Sequence, residues 1–330
     1  MRIGLVGAGA QMLDCLCPAL RAVQNSQICG VCDVLPDKAR LLADQIVGAT
    51  AFASIEEMVA IGAPDVLVAA CPPEVHEEVI AEALASDVPV FVEKPPAGSQ
   101  EALYQLSVQT VRQGLVTGVG MNFRFSTAYL TLKEMLRSGE HGVPVFVSVT
   151  HVANKPRGSL WGKDPLWSVM LAQAVHPVDL VLDLIGSADS VDSAMHCLDD
   201  RLVLGIHMHS TSGALGSIVV ATGAQRFHFR IEVTTDRGAV LSSSDLMDVL
   251  LRPADTGDLG SRVTWNASPL DRGHKRAGYL GELAAFCDAA RYRRPFAPAI
   301  GDLIPTYDVL SQIGTKENGS YLQVSHVGHG

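Results

Sequence analysis

Short apolar runs alternate with stretches of helical period through residues 1–120. Strand-like runs fall at Arg2 to Val6, Gln27 to Asp33, Asp65 to Cys71, Val88 to Glu93 and Leu115 to Met121. Between them helices are predicted from Ser54, where Glu57 completes a capping box, from Glu74 to Ala85 and from Gln100 to Gln113. Such alternation specifies right-handed βαβ crossovers and a doubly wound parallel sheet of the Rossmann type.

Beyond Met121 the pattern changes. A helix from Thr127 to Arg137 stops at Ser138-Gly139, and longer alternating runs follow at Val143 to Val152, Arg201 to His209, Ala214 to Ala221, Phe227 to Thr234 and Ala239 to Ser242. The polar stretch Thr256 to Arg276 reads as a loop or ragged edge. Helices are predicted at Tyr279 to Arg291 and Asp302 to Thr315, and Ser320 to Gly330 as a short strand with a loose tail. The chain is therefore α/β, with one domain over 1–120 and a second, α+β domain over 121–330 carrying an open, largely antiparallel sheet. Its last helix is expected to pack back on the first domain. An open sheet must cover its second face, and a second copy does so economically, so a homodimer or homotetramer is expected.

The 330 residues are 48% hydrophobic and 18% charged, enough to bury two cores. A formal charge of -10 argues against nucleic-acid binding and against an acidic membrane surface. No run reads as the roughly 20 apolar residues of a membrane span, and Met1-Arg2 leads straight into a strand with no signal peptide, which points to the cytoplasm. Seven cysteines, an odd number, fit reduced thiols. Cys29 and Cys32 sit three apart on a strand and point to opposite faces, and Cys15 and Cys17 diverge on a helix, so neither pair suits a redox or zinc site. His207 and His209 share a strand face without an evident third ligand, and no metal is expected.

The first strand runs into Gly7-Ala8-Gly9-Ala10-Gln11-Met12 and a helical period. Small residues there allow a tight turn and close approach of a pyrophosphate, held by N–H groups at the helix N-terminus. The pattern is incomplete, because Met12 stands where a third small residue would sit and Pro18 interrupts the helix. Asp33, ending the second strand, can accept the ribose hydroxyls of NAD and would repel a 2′-phosphate, so NAD is favoured over NADP; as an alternative it merely caps the next turn. At the next strand end, Cys71 and Pro72 are read as small residues beside the cofactor, and Cys71 has no local activator. His76 either closes that edge or is a solvated helix-start histidine.

A further strand ends in Glu93-Lys94-Pro95-Pro96. Together with the glycine loop, the acid after strand two, Cys71-Pro72-Pro73-Glu74-Val75-His76, Met121 to Phe125, Gln173 to Leu180 and Tyr279-x-x-Glu282 before Phe286, the chain resembles the Gfo/Idh/MocA oxidoreductases over nearly its whole length. The resemblance implies a cis bond before Pro95, a cofactor edge that includes Glu93, and a functional Lys94. An ammonium there can hydrogen-bond the oxygen that changes between hydroxyl and carbonyl. By the same resemblance His176 is the acid/base, Asp179 lies beside the substrate, and Asn122 and Arg124 line the cofactor or substrate cleft. Gln173, His176 and Asp179 follow one another at three-residue spacing on a helix beginning near Met170. Lys163, in a loop between Trp161 and Trp167, is a further substrate candidate.

One departure stands out. Family dehydrogenases commonly carry an aspartate four residues before this histidine, where this chain has Ala172, and Gln173 is the expected stand-in. The expected reaction is hydride transfer between NAD and a sugar, cyclitol or nucleotide-sugar hydroxyl, with Lys94 and His176 handling protons. Reduction of an imine or conjugated substrate, which needs no strong hydroxyl base, is one alternative. A non-catalytic dinucleotide-binding or regulatory protein is another.

Overall fold

The computed structural model describes residues 1–154, 158–198, 201–254, 260–271 and 273–324, with residues 198 and 316–324 described by their main chain alone. The chain divides into two compact units, Met1–Ser126 with Arg272–Ile304, and Thr127–Asp271 with Pro305–Gly330. A single cut after residue 120 therefore misses an excursion. The segment that returns to the first unit carries the helix Tyr279–Arg291, while the last helix, Ile304–Val324, begins at the unit boundary and continues in the second.

The first unit holds a six-stranded, all-parallel sheet built from β1 (Arg2–Val6), β2 (Gln27–Cys32), β3 (Thr50–Phe52), β4 (Val66–Ala69), β5 (Val90–Glu93) and β6 (Thr117–Gly120). Their order is β3-β2-β1-β4-β5-β6, so the chain reverses direction across the sheet between β1 and β4. In doubly wound folds that reversal is where ligands collect, beyond the carboxyl ends of the strands. The strands are buried on both faces, as parallel strands between helices must be. Helix Gln100–Gln113 is capped by Ser99, whose side chain accepts from the Ala102 N–H, and ends at Gly114. The Ser54 cap is also formed: its hydroxyl accepts from the Glu57 N–H at 3.1 Å and the Glu57 carboxylate accepts from Ala53 N–H at 2.8 Å.

Helix Tyr279–Arg291 joins this core through Leu283, Phe286 and Cys287. Phe286 lies 5.5 Å from Phe91 of β5 and 5.5 Å from Phe296, ring centre to ring centre. Ile28 through Cys32, including Cys29 and Cys32, packs as sheet filling, and all seven cysteines are free thiols.

The second unit holds an eight-stranded mixed sheet of β7 (Pro144–Val152), β8 (Ala188–Leu198), β9 (Arg201–Ser210), β10 (Leu215–Ala221), β11 (His228–Thr235), β12 (Val240–Ser244), β13 (Asp248–Arg252) and β14 (Arg262–Asn266). The order is β14-β13-β12-β11-β7-β10-β9-β8, antiparallel except for β7 beside β10. Strand β14 and the short helix Gly273–Arg276 lie within the stretch expected to be a loop, whose residues 255–259 and 272 fall outside the described ones. The expected strand near Ser320 is helix as far as Val324.

Helix Pro165–Ile185 is continuous, with a widened turn over Met170–Ala174, and starts before Met170 because Asp164 caps it by accepting from the Trp167 N–H. Contrary to the sequence expectation, it is long and apolar enough to cross a membrane by length and composition. Its apolar residues are accounted for by core packing, since most of the helix is buried inside the structure.

Candidate functional site

At the carboxyl end of β1 the chain must turn at once. Gly7 takes φ +87°, and a Cβ there would lie 2.5 Å from the Ala70 carbonyl oxygen, so only glycine fits. The following residues are pinned by Asp33, whose Oδ2 accepts from the Ala8 N–H at 2.7 Å while Oδ1 accepts from the Leu35 N–H at 2.8 Å. Asp33 is thus both a cap and a carboxylate at the strand end, with lone pairs left for hydroxyl donors. Gly9 opens onto space: a Cβ there would meet nothing within 4 Å. Ala10 is exposed and Gln11 half-buried at the start of the first helix, where a dinucleotide's phosphates find main-chain donors.

Met12 does not belong to that surface. It is fully buried in the core beside Leu16, so the position that breaks the glycine pattern is core filling and not a cofactor contact. The helix it opens is wound as a widened turn over Met12–Leu16 before Pro18.

Cys71 and Pro72 stand beyond β4. The Cys71 thiol points to the Val6 carbonyl at 3.4 Å, and burial pushes its pKa up to about 12, which excludes it as a thiolate nucleophile. His76 is not the solvated helix-start histidine; it closes the edge between the ends of β4 and β5. It is wholly buried and acts as a strut: Nε2 accepts from the Cys71 N–H at 2.9 Å and Nδ1 donates to the Pro95 carbonyl at 3.0 Å. That pair of bonds fixes a neutral tautomer, and burial lowers its pKa to about 4.

The Lys94-Pro95 bond is cis, as the resemblance implied. Lys94 is half-buried at the end of β5. Glu93 beside it is 4% exposed and works from beneath: Oε1 accepts from Gln11 Nε2 at 3.0 Å and Oε2 from the Lys94 N–H at 3.2 Å. Gln11 donates as well to the Tyr279 hydroxyl at 3.2 Å, a partner that the sequence placed only by resemblance. Burial, then the Glu93 charge, raises the Tyr279 phenol above its usual range. Asn122, expected at the cofactor, is 3% exposed and spends its amide on the Ala277 carbonyl at 2.7 Å, holding the returning segment in place. Arg124 is half-buried in the turn Asn122–Phe125.

In the second unit His176 is 6% exposed on the helix Val175–Ile185. Gln173 does not orient it. Its Nε2 donates to the His151 and Ala221 carbonyls, both at 3.0 Å, and so ties the widened turn to β7 and β10, while Oε1 meets no hydrogen-bond partner among the described residues. Asp179 is fully buried, so neither it nor Gln173 presents surface to a substrate. The neighbour that sequence reading missed is His151. Strand alternation turns it to the helix-covered face of β7, and its ring lies edge-on to that of His176, 6.4 Å between centres. Phe227 and Phe229 pack on its other sides at 5.7 and 5.8 Å. Lys163 is half-buried in the loop before Asp164, its N–H bonded to the Leu160 carbonyl at 2.9 Å. Residues 155–157 of that loop lie outside the described ones.

Comparison with known proteins agrees with this geometry. Residues 1–121 match the family model described as oxidoreductase family, NAD-binding Rossmann fold, and residues 129–241 match the GFO/IDH/MocA C-terminal domain. The inositol 2-dehydrogenase of Acidothermus cellulolyticus is 30% identical over 257 residues, 74% of this chain and 73% of that protein. The inositol 2-dehydrogenase of Corynebacterium glutamicum (strain R) is 29% identical over 191 residues, 57% of this chain, and the match spans about half of that protein's length, 55%. Among solved structures, a dehydrogenase from Chromobacterium violaceum superposes with a TM-score of 0.92 at 33% identity, covering 99% of this chain and 98% of that one. The cradle of Gly7, the open space over Gly9 and the carboxylate of Asp33 fit the NAD that the first family model describes.

Proposed function

The chain belongs to the Gfo/Idh/MocA oxidoreductase family, and from that premise we propose that it is an NAD(H)-dependent dehydrogenase of a cyclitol, sugar or nucleotide-sugar hydroxyl. The observation that carries the reading is the first unit's edge, where the glycine turn, Asp33 and Lys94 stand at the ends of β1, β2 and β5, linked by the Ala8–Asp33 and Gln11–Glu93 hydrogen bonds. Inositol 2-dehydrogenases among the relatives supply the substrate class. When bound, NAD accepts or returns a hydride. Lys94 is assigned to the substrate oxygen, where its ammonium steadies negative charge as a hydroxyl becomes a carbonyl. His176 is assigned to the proton of that hydroxyl. Asp33 favours NAD over NADP because a second anion beside its carboxylate is repelled.

Reduction of an imine or conjugated substrate is a second reading, and Ala172 favours it: no carboxylate stands one turn before His176 to strengthen it as a base.

The test is fluorescence titration with NADH and NADPH, followed by polyol, sugar and imine substrates. NADH is expected to bind more tightly than NADPH, and a cyclitol or sugar to turn over. Lys94→Ala and His176→Ala are each expected to lower kcat by about a hundredfold or more, the worth of a positioned acid or base. Turnover of imines alone selects the second reading. Binding without any turnover, unchanged in both variants, indicates a regulatory dinucleotide-binding protein instead.

A further inference from the structure

Two carboxyl side chains lie in the interior of the first unit on different elements. Glu93 ends β5, and Glu282, on helix Tyr279–Arg291, is fully buried. Glu93 is held by Gln11 and by the Lys94 N–H. Among the described residues neither carboxyl oxygen of Glu282 meets a hydrogen-bond partner. The helix sets Tyr279 one turn before Glu282, and the Gln11 amide bridges Tyr279 and Glu93, so the residue one turn from Glu282 is tied to the network that holds Glu93. Gly120 makes the room, since a Cβ there would lie 3.0 Å from the Glu93 carboxyl carbon.

An isolated carboxylate in a protein interior takes up a proton sooner than it stays charged without donors. Burial, and then the charge of Glu93, holds Glu282 well above the usual carboxylate range. Burial raises Glu93 too, but Lys94 and the two hydrogen bonds work the other way.

We infer that Glu282 is a positioning residue that carries a proton in the native protein and leaves Glu93 as the single anion of this buried pair, tying the glycine loop, through Gln11, to the main chain of Lys94. Its consequence for the cofactor rests on the NAD reading above. Ionising Glu282 would put a second negative charge into the unit that receives an anionic dinucleotide. The titratable groups on elements packed against this helix are Asp14 and Cys15 in the first widened turn, Cys17 and Arg21 after it, Arg124, and His274, Lys275 and Arg276. Of the charges around it, that of Glu93 acts on Glu282.

The experiment compares the wild type with Glu282→Gln, and with Glu282→Leu as a second variant should the first fail to fold. A native acid that keeps a proton which the unfolded chain releases near 4.5 makes stability fall as pH rises above that value. Thermal midpoints from about pH 5 to about 9 are therefore expected to fall more steeply in the wild type than in the variant. The infrared spectrum at neutral pH is expected to show a protonated-carboxyl stretch that the variant lacks. As the infrared band bleaches with rising pH, the NADH Kd of the wild type is expected to rise with it about threefold or more, through like-charge repulsion, and that of the variant to stay flat. Parallel midpoint curves and an unchanged infrared spectrum overturn the proton assignment. A wild-type Kd that stays flat while the band bleaches overturns the coupling to the cofactor. Failure of the wild type to bind NADH at any pH removes the dinucleotide reading, and the midpoints and the infrared band still decide where the proton is.

Discussion

His76 shows how a single buried histidine sets a pH limit without entering any reaction. Both ring nitrogens are committed, one accepting from Cys71 and one donating to Pro95, so the native ring is neutral and its pKa is lowered to about 4 from 6.5. The unfolded chain takes that proton first, so the stability from this site is fully present above 6.5 and is lost as pH falls toward 4. At about 1.4 kcal/mol per unit, the loss is of order 3 kcal/mol. His76→Gln, which binds no proton there, is expected to be less stable at neutral pH by about 1–3 kcal/mol, from partners left unpaired. Its denaturant midpoint is expected to fall more gently than the wild type's between those two pH values; equal acid slopes would remove the strut from the account. Asp33 carries a second prediction at this scale. Asp33→Ala frees the Ala8 and Leu35 N–H groups and is expected to weaken NADH by about tenfold or more, about 1.4 kcal/mol, while the NADH-over-NADPH preference shrinks in paired titrations.

Among the elements, the helix Tyr279–Arg291 is the one on which the first unit's core most visibly depends, because Phe286 packs against both Phe91 and Phe296. Phe286→Ala removes a fully buried ring and is expected to cost about 3–5 kcal/mol in chemical denaturation. This helix, with Gln100–Gln113 and Thr127–Arg137, was legible in the sequence, because each carries an apolar period over its whole length. The strands missed were those without a period to read. β3 is three residues long and β13, Asp248–Arg252, only five, while β14, Arg262–Asn266, is largely exposed along its length and β8 lies at the other sheet edge. The first unit's edge was legible because its chemistry is local: a glycine turn, an acid and a lysine each sit at a strand end. The surroundings of His176 were not. His151 reaches it through strand register and sheet order, and the widened turn at Met170–Ala174 sent Gln173 to two strand carbonyls. That the side chains of Met12, His76 and Asn122 are buried was not legible for one reason: spacing places a residue near a loop but does not say whether its side chain enters the core.

For the molecule as a whole, the eight-stranded sheet poses a question that the single chain leaves open. One face is covered by helix Pro165–Ile185 and others; on the opposite face register aligns Leu215 with Phe146, a row of Ser217, Ser148 and His207 follows, and Val219 and Val203 lie on the next two rows. The four apolar side chains are between 37% and 43% exposed, and they share the face with Arg230 and Glu232 of β11. We propose that this face pairs with the same face of a second copy. An isologous contact needs a patch that is complementary to itself, and the apolar side chains meet that condition beside an Arg230–Glu232 ion pair that each chain closes on its own at 2.7 Å. Val219→Glu sets a carboxylate in the middle of the face, where two-fold pairing places its twin close by. Light scattering is expected to give at least the mass of two chains for the wild type and that of one for the variant, with both keeping the same far-ultraviolet circular dichroism. A wild type that stays at one chain mass over a hundredfold range of concentration would mean that the face is a solvated surface, its exposed valines and Phe146 tolerated singly as on other proteins.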